Sequence, residues 1–345
     1  MKCCRYPFER VVVDIDGIVY FCNPDYNHRY VVGSLYEESF EDIWHGKKAQ
    51  KFRKSILDGL YKNCDLKICS DYKESDFCEF TEKDIENPRY PRTVDLNYLR
   101  SCDVRCMTCR DKLEMENGVK TRAYNNIIED VVDMCKNAKK VYLNGNGEIF
   151  SSNHLKLLTN TLVKNYPDLN FVIRTNGLLC DEKHIKDFGL WDNIDEIFIS
   201  VPAATKKTYE KIVRGGYWKK LQKNLKYLSD LKKNQGKFGL TLVFLYHSLN
   251  YKEMPAFVEM ANKLGIMVTF CKFRDWGDSS DMCKEYKRYI CWDPEHKDYK
   301  KFLGVLRKLR KMHGYKFEDP SVFNLKKEKK SLLKTIKNKI FGEKK

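Results

Sequence analysis

The sequence predicts an α/β fold: a partial (β/α)6 TIM-like barrel preceded by a small N-terminal α+β domain. Six strand-like runs, Thr93 to Leu99, Val141 to Leu143, Phe171 to Arg174, Ile194 to Ser200, Leu240 to Tyr246 and Met267 to Phe270, alternate with helical segments. That order builds a parallel sheet, and six strands are too few to close an eight-stranded barrel. The first ninety residues hold six of the 14 cysteines, together with hairpin and helix signals of their own. Between these regions lies Glu86-Asn87-Pro88-Arg89-Tyr90-Pro91, whose two prolines keep the chain extended. The expected division is therefore 1–90, a barrel over 91–280, an extension over 281–325 and a basic tail over 326–345.

At 345 residues the chain is long enough for one large domain and a lesser one. The N-terminus runs straight into charged sequence, and no apolar run reaches the length of a membrane span, so a cytoplasmic protein is expected. In that compartment 14 cysteines point to metal thiolates or reduced thiols rather than disulfides. The net charge is +16, of which residues 326–345 supply +7 through nine lysines against Glu328 and Glu343. The remainder is spread thinly and lacks an interleaved aromatic repeat, so a nucleic-acid partner is not favoured. In the tail, Leu332, Leu333, Ile336 and Ile340 share a helical face flanked by lysines. This pattern suits peripheral contact with an anionic membrane, docking on the barrel, or a loose chain end.

In order along the chain, Val11 to Phe21 reads as two β-branched runs broken by Asp16-Gly17, a hairpin signal that brings Cys4 and Cys22 towards one another. Ser39 then caps a helix that runs through Trp44, Phe52 and Ile56 to Gly59 and delivers Cys64 and Cys69 to the same end. After the linker, the first barrel strand leads into Ser101-Cys102-Asp103-Val104-Arg105-Cys106-Met107-Thr108-Cys109, a C-x3-C-x2-C spacing. Three thiolates on one tight loop can hold three irons of a cubane cluster and leave the fourth open to a small molecule. A structural zinc site wants a closed tetrahedron, and no second cysteine pair lies close behind Cys109. Ile127, Ile128, Val131, Val132 and Cys135 mark one helix face, which makes Cys135 a core residue. The second barrel strand ends in Asn144-Gly145-Asn146-Gly147-Glu148, the third in Thr175-Asn176-Gly177 and the fourth at Ser200. In parallel barrels ligands gather at the C-terminal strand ends, so the cysteine loop, Glu148, Asn176, Ser200, His247 and Cys271 are expected on one face. His247 and Cys271 more often play a structural role in such places, and the sequence assigns none to Cys283 and Cys291.

The cysteine loop resembles the signature of the radical S-adenosylmethionine (radical SAM) enzymes. The resemblance implies a [4Fe-4S] cluster on Cys102, Cys106 and Cys109, with S-adenosylmethionine chelated at the open iron and split to a 5′-deoxyadenosyl radical that takes hydrogen from a substrate. Thr108 stands where many members carry an aromatic near the adenine. Gly145-x-Gly147-Glu148 looks like the segment that holds the cofactor's amino group, with Ile149 in place of the usual Pro. The run from Ser200 to Gly216 is close to that of related barrels, with Pro202 in place of a common Asp; Asn176 is placed among the cofactor residues, and Ser200 and Arg214 are candidates for the cofactor's carboxylate, a surface ion pair being the alternative for Arg214. The first ninety residues resemble SPASM and Twitch auxiliary-cluster domains. This implies a second [4Fe-4S] cluster on Cys4, Cys22, Cys64 and Cys69, with Cys3 or Cys78 as alternatives for one ligand. It also implies a reducing partner such as flavodoxin or ferredoxin. The substrate is unknown: a peptide or protein is favoured slightly over a carbohydrate or small molecule. The competing reading is an iron–sulfur electron-transfer protein without radical chemistry, and an RNA-modifying enzyme has only the charge behind it.

Overall fold

The computed structural model describes residues 4–23, 30–67, 69, 72, 79–275, 280–319 and 322. Its strands are β1 Arg10–Val13, β2 Ile18–Tyr20, β3 Gly33–Ser34, β4 Thr93–Leu96, β5 Arg105–Cys106, β6 Lys140–Leu143, β7 Asn170–Thr175, β8 Ile194–Ser200, β9 Val213–Arg214, β10 Gly239–Tyr246, β11 Met267–Lys272 and β12 Tyr315–Phe317. All six expected barrel strands form, as β4, β6, β7, β8, β10 and β11, and with their intervening helices they make the α/β partial-barrel fold. The basic tail lies outside the described residues. Among the described residues no helix is long and apolar enough to cross a membrane.

Two compact units share the chain: Met1–Asp103 with Leu113–Ile199 and Asp230–Leu240, and Val104–Lys112 with Ser200–Ser229 and Thr241–Lys345. This division runs through the barrel and does not set the first ninety residues apart. In the first unit the strand order is β3-β2-β1-β4-β6-β7-β8. β1 pairs with β4 in parallel, Val12 opposite Asp95, so the N-terminal segment extends the barrel sheet instead of closing a sheet of its own. One face of this sheet carries Val94, Leu96, Val141, Leu143, Phe171, Ile173, Ile197 and Ile199, all buried. The helices Ile128–Met134 and Asn153–Asn165 contribute Val131, Leu155, Leu158 and Leu162 to the core, and Cys135 is buried among such residues as expected. Each buried side chain of this size contributes about 1.5–3 kcal/mol.

The Asp16-Gly17 hairpin forms, with Val13 opposite Val19. Asp16 (φ 59°) and Gly17 (φ 67°) both take the left-handed conformation that a mirror-image turn requires. The single helix expected from Ser39 to Ile56 is two helices, Phe40–His45 and Lys47–Leu57. Gly46 between them is extended, and a Cβ there would stand 2.6 Å from the Asp42 carbonyl oxygen. Ser39 caps the first helix by accepting from the Asp42 N–H (3.2 Å).

In the second unit β10, β11 and β12 run parallel, with Val268 opposite Tyr315 and Phe270 opposite Phe317. β12 lies in the extension and was not anticipated, because three residues, Tyr-Lys-Phe, are too short for a periodic signal. It is held by its rings: Phe317 packs 5.1 Å from Phe270 and 5.9 Å from Tyr246. The helix Tyr299–Leu309 stacks Phe302 on Tyr246 at 5.6 Å. A second small ribbon pairs β5 with β9, Cys106 opposite Val213.

Candidate metal centres and cofactor site

In the first unit, the segment that follows β4 reaches a backbone anchor, Ser101. Its carbonyl accepts the Glu148 N–H at 2.6 Å and its hydroxyl accepts the Glu116 N–H at 2.9 Å. The next residue, Cys102, is buried and donates its N–H to the Glu114 carbonyl at 2.7 Å, while Arg100 holds the Glu114 carboxylate at 3.1 and 3.2 Å. The loop that begins at Cys102 is therefore pinned on one side by the glycine-rich turn and on the other by residues 114–116. Gly147 makes this approach sterically feasible: a Cβ there would lie 2.2 Å from the Ser101 carbonyl oxygen and 3.0 Å from two further backbone atoms. Gly145 is less crowded, its nearest such contact being the Gly147 nitrogen at 3.3 Å, which a shift of a few tenths of an ångström relieves. The glycine expected to let a ligand approach thus serves first to let two backbones touch.

Glu148 is 1 % exposed. Its carboxylate accepts from the Phe150 N–H (3.3 Å), the Thr175 hydroxyl (2.7 Å) and the Asn176 N–H (2.7 Å), joining the ends of β6 and β7. Three donors on two oxygens leave room for a further one, such as a ligand amino group. Burial pushes its pKa up to about 7, against the pull of those hydrogen bonds. The Asn176 side-chain N–H donates to Asp103 Oδ1 at 2.7 Å, tying the residue after Cys102 to β7. Asp103 and Ser101 were not singled out from sequence, since neither belongs to a spacing pattern.

In the second unit Cys106 sits on β5, and its carbonyl accepts the N–H groups of Cys109 and Arg110, both at 3.1 Å. One tight turn therefore presents both thiols. Arg110 is buried and brings a guanidinium N–H to 3.7 Å from Cys109 Sγ. Thr108 is buried. Ser200 is exposed at the end of β8. Arg214 is engaged by Asp281 at 2.6 Å, the ion-pair alternative foreseen for it. His247 is fully buried between Phe273 and Tyr289, accepts the Leu249 N–H on Nδ1 at 3.2 Å, and has its pKa pushed down to about 3 by burial. That environment is of a neutral, packed histidine. Cys271 is half-buried; Cys283 joins the core around Phe273, Met282 and Tyr289, and Cys291 is buried beside it in sequence with its thiol pKa pushed up.

Cys4, Cys22, Cys64 and Cys69 line one apolar cavity of the first unit. Its walls include Phe52, Ile56, Tyr61 and Tyr72. Burial, and then the proximity of Cys4, raises both Cys22 and Cys64, the latter to about 12, and Arg10 only partly offsets the rise at Cys22. The Tyr72 N–H donates to Cys69 Sγ at 3.4 Å. Among the described residues no three His, Cys, Asp or Glu side chains converge on a single metal ion. Four thiols lining one cavity instead fit a [4Fe-4S] cluster, whose four irons each call for a thiolate. Cys3 and Cys78 lie outside the described residues.

A model of the radical SAM superfamily matches residues 96–261, and a model of the SPASM iron–sulfur cluster-binding domain matches residues 3–71. Over 67 residues, 18% of this chain and 27% of the relative, the sequence is 37% identical to the S-adenosyl-L-methionine-dependent 2-deoxy-scyllo-inosamine dehydrogenase of Niallia circulans. Solved structures similar to this chain include BtrN in complex with AdoMet and 2-DOIA (TM-score 0.30, 16% identity, 44% of this chain and 56% of that one). Another is anSMEcpe with bound AdoMet (TM-score 0.41, 14% identity, 63% and 59%). The chain thus spans about a quarter of the curated relative and a little over half of these solved chains. With both matched spans containing the cysteine sets described above, the chain carries a radical SAM domain over residues 96–261 and an N-terminal SPASM iron–sulfur cluster-binding domain over residues 3–71.

Proposed function

We propose that this protein is a radical SAM oxidoreductase that reductively cleaves S-adenosylmethionine and abstracts a hydrogen atom from its substrate. The observation that carries this reading is the junction at Ser101, where the Gly147-Glu148 turn is hydrogen-bonded directly to the loop of three cysteines. When bound, the three-thiolate cluster would supply the one-electron reduction that cleavage of the cofactor's sulfonium requires. Cys102, Cys106 and Cys109 would hold the cluster, with Arg110 donating towards Cys109 Sγ. Glu148 offers its remaining acceptor site to the cofactor's amino group, and Ser200 offers a hydroxyl to its carboxylate. Arg214 joins the carboxylate only by exchanging Asp281. Cys4, Cys22, Cys64 and Cys69 fully ligate the auxiliary cluster, which serves as a relay or structural centre. A flavodoxin or ferredoxin supplies the electron.

The name of the curated relative supports a small alcohol, rather than a peptide, as the substrate class. The test is anaerobic reconstitution followed by reduction in the presence of S-adenosylmethionine. Wild type should form 5′-deoxyadenosine and hold about eight irons; a Cys102→Ala/Cys106→Ala/Cys109→Ala triple variant should form none and hold about four. Cofactor cleavage by the triple variant refutes the assignment.

A further inference from the structure

Among the described residues, the cavity lined by Cys4, Cys22, Cys64 and Cys69 has no lysine, arginine, aspartate or glutamate in its wall, which is built from residues such as Tyr6, Pro7, Phe52 and Ile56. A cluster held there by four thiolates is an anion, and reduction adds a further negative charge. A cation behind that wall therefore acts on its reduction potential through a medium that screens poorly.

Arg10 stands behind Tyr6, its guanidinium lying over the ring 4.7 Å from the centroid. The hairpin register, Val12 opposite Tyr20 and Val13 opposite Val19, carried two residues further sets Arg10 across from Cys22, and the two side chains interact electrostatically. How much of that charge reaches the cavity depends on Asp95. Arg10 donates to Asp95 Oδ2 from Nε at 2.9 Å and again from a terminal nitrogen. Asp95 is 2 % exposed, and its Oδ1 has no donor. It stands opposite Val12 on β4, so it shares a face of the sheet with Arg10. Its carboxylate is thus aimed chiefly at that one guanidinium, with Arg174 the weaker second attraction. Asp95 also lies outside residues 3–71, on the strand that precedes the Cys102 loop, so the partner of Arg10 comes from beyond the matched SPASM span. Arg53, fully buried behind Pro7, differs: it spends its N–H groups on the Pro7 and Trp44 carbonyls, at 2.8 and 2.7 Å, and no acid restrains its charge.

We propose that the Arg10–Asp95 pair sets the reduction potential of the auxiliary cluster, Arg10 favouring the reduced state beside Cys22 and Asp95 holding that effect in check. Arg10 acts through the field it places on Cys22 and the cavity, as a positioning and tuning residue rather than a ligand. This rests on the auxiliary-cluster reading.

The test is a potentiometric titration of the reconstituted full chain followed by electron paramagnetic resonance, the auxiliary signal being the one lost in Cys64→Ala. Arg10→Gln should lower the equilibrium constant for reduction ten-fold or more, a shift of about 59 mV to more negative potential for a one-electron couple. Asp95→Asn should move it at least two-fold in the opposite direction, and Arg10→Lys should stay nearer to wild type than to Arg10→Gln. Opposed shifts from the two halves of one ion pair separate a field effect from a strut, whose loss would disturb the site in the same way from either side. A smaller fall in Arg10→Gln, no rise in Asp95→Asn, an Arg10→Lys that matches Arg10→Gln, or loss of the auxiliary iron in both Arg10→Gln and Asp95→Asn overturns the proposal. A wild type that saturates at about four irons refutes the auxiliary cluster and this proposal with it. Opposed shifts in a protein that forms no 5′-deoxyadenosine refute the radical reading and leave this one standing.

Discussion

Replacing Gly147 by Ala adds one methyl group at the contact that joins the glycine-rich turn to the cysteine loop. The new Cβ would stand 2.2 Å from the Ser101 carbonyl oxygen, where ordinary contact begins near 3.4 Å, so the two backbones must separate by more than 1 Å. Separation breaks the 2.6 Å hydrogen bond from the Glu148 N–H and leaves a buried donor unsatisfied, a loss of about 1–3 kcal/mol. Overpacking adds a similar amount, about 1–3 kcal/mol. Cys102 follows Ser101 directly, so the displacement also moves a cluster ligand, and a shift of that size in a reacting site lowers rate by about 10²-fold. Gly145→Ala is the internal control, because its new Cβ meets nothing closer than 3.3 Å. Melting temperature, iron bound after reconstitution and 5′-deoxyadenosine formation should all fall for Gly147→Ala and change little for Gly145→Ala. If the two variants behave alike, Gly147 is not the contact that sets the loop, and the steric argument fails.

Glu148 makes stability depend on pH. A carboxyl with a folded pKa of about 7 and an unfolded value of 4.5 keeps a proton in the fold that the unfolded chain has already released, so stability falls as pH rises through that window, by about 3 kcal/mol in all. Denaturant melts at pH 4.5 to 8 should show this fall in wild type and a flatter profile in Glu148→Gln; a wild-type rise across the window would contradict the burial argument. At the auxiliary site, Cys64→Ala should lower bound iron from about eight to about four while 5′-deoxyadenosine formation persists. Full iron retention would remove Cys64 from the ligand set. At the break between the first two long helices of the N-terminal segment, Gly46→Ala forces a Cβ to 2.6 Å from the Asp42 carbonyl and should destabilise by about 1–3 kcal/mol, read from the urea midpoint. An unchanged midpoint would mean that one continuous helix is accessible there.

The sequence by itself determined the features whose physics is local. The spacing of Cys102, Cys106 and Cys109 is legible because ligands on one turn must lie a few residues apart. The six barrel strands are legible because each is a run of β-branched or aromatic residues bounded by turn residues. Asp16-Gly17 marked the hairpin because few other pairs tolerate two left-handed residues in succession. What only the tertiary structure decided involves partners far apart in the chain. Gly147 touches Ser101 across 46 positions, Asn176 reaches Asp103 across 73, and Arg214 meets Asp281 across 67. Such pairs carry no periodic signal, since which polar group meets which is settled only when strands register side by side. The same reason hid the parallel pairing of β1 with β4 and the short strand β12, each selected by an open neighbouring edge rather than by its own residues.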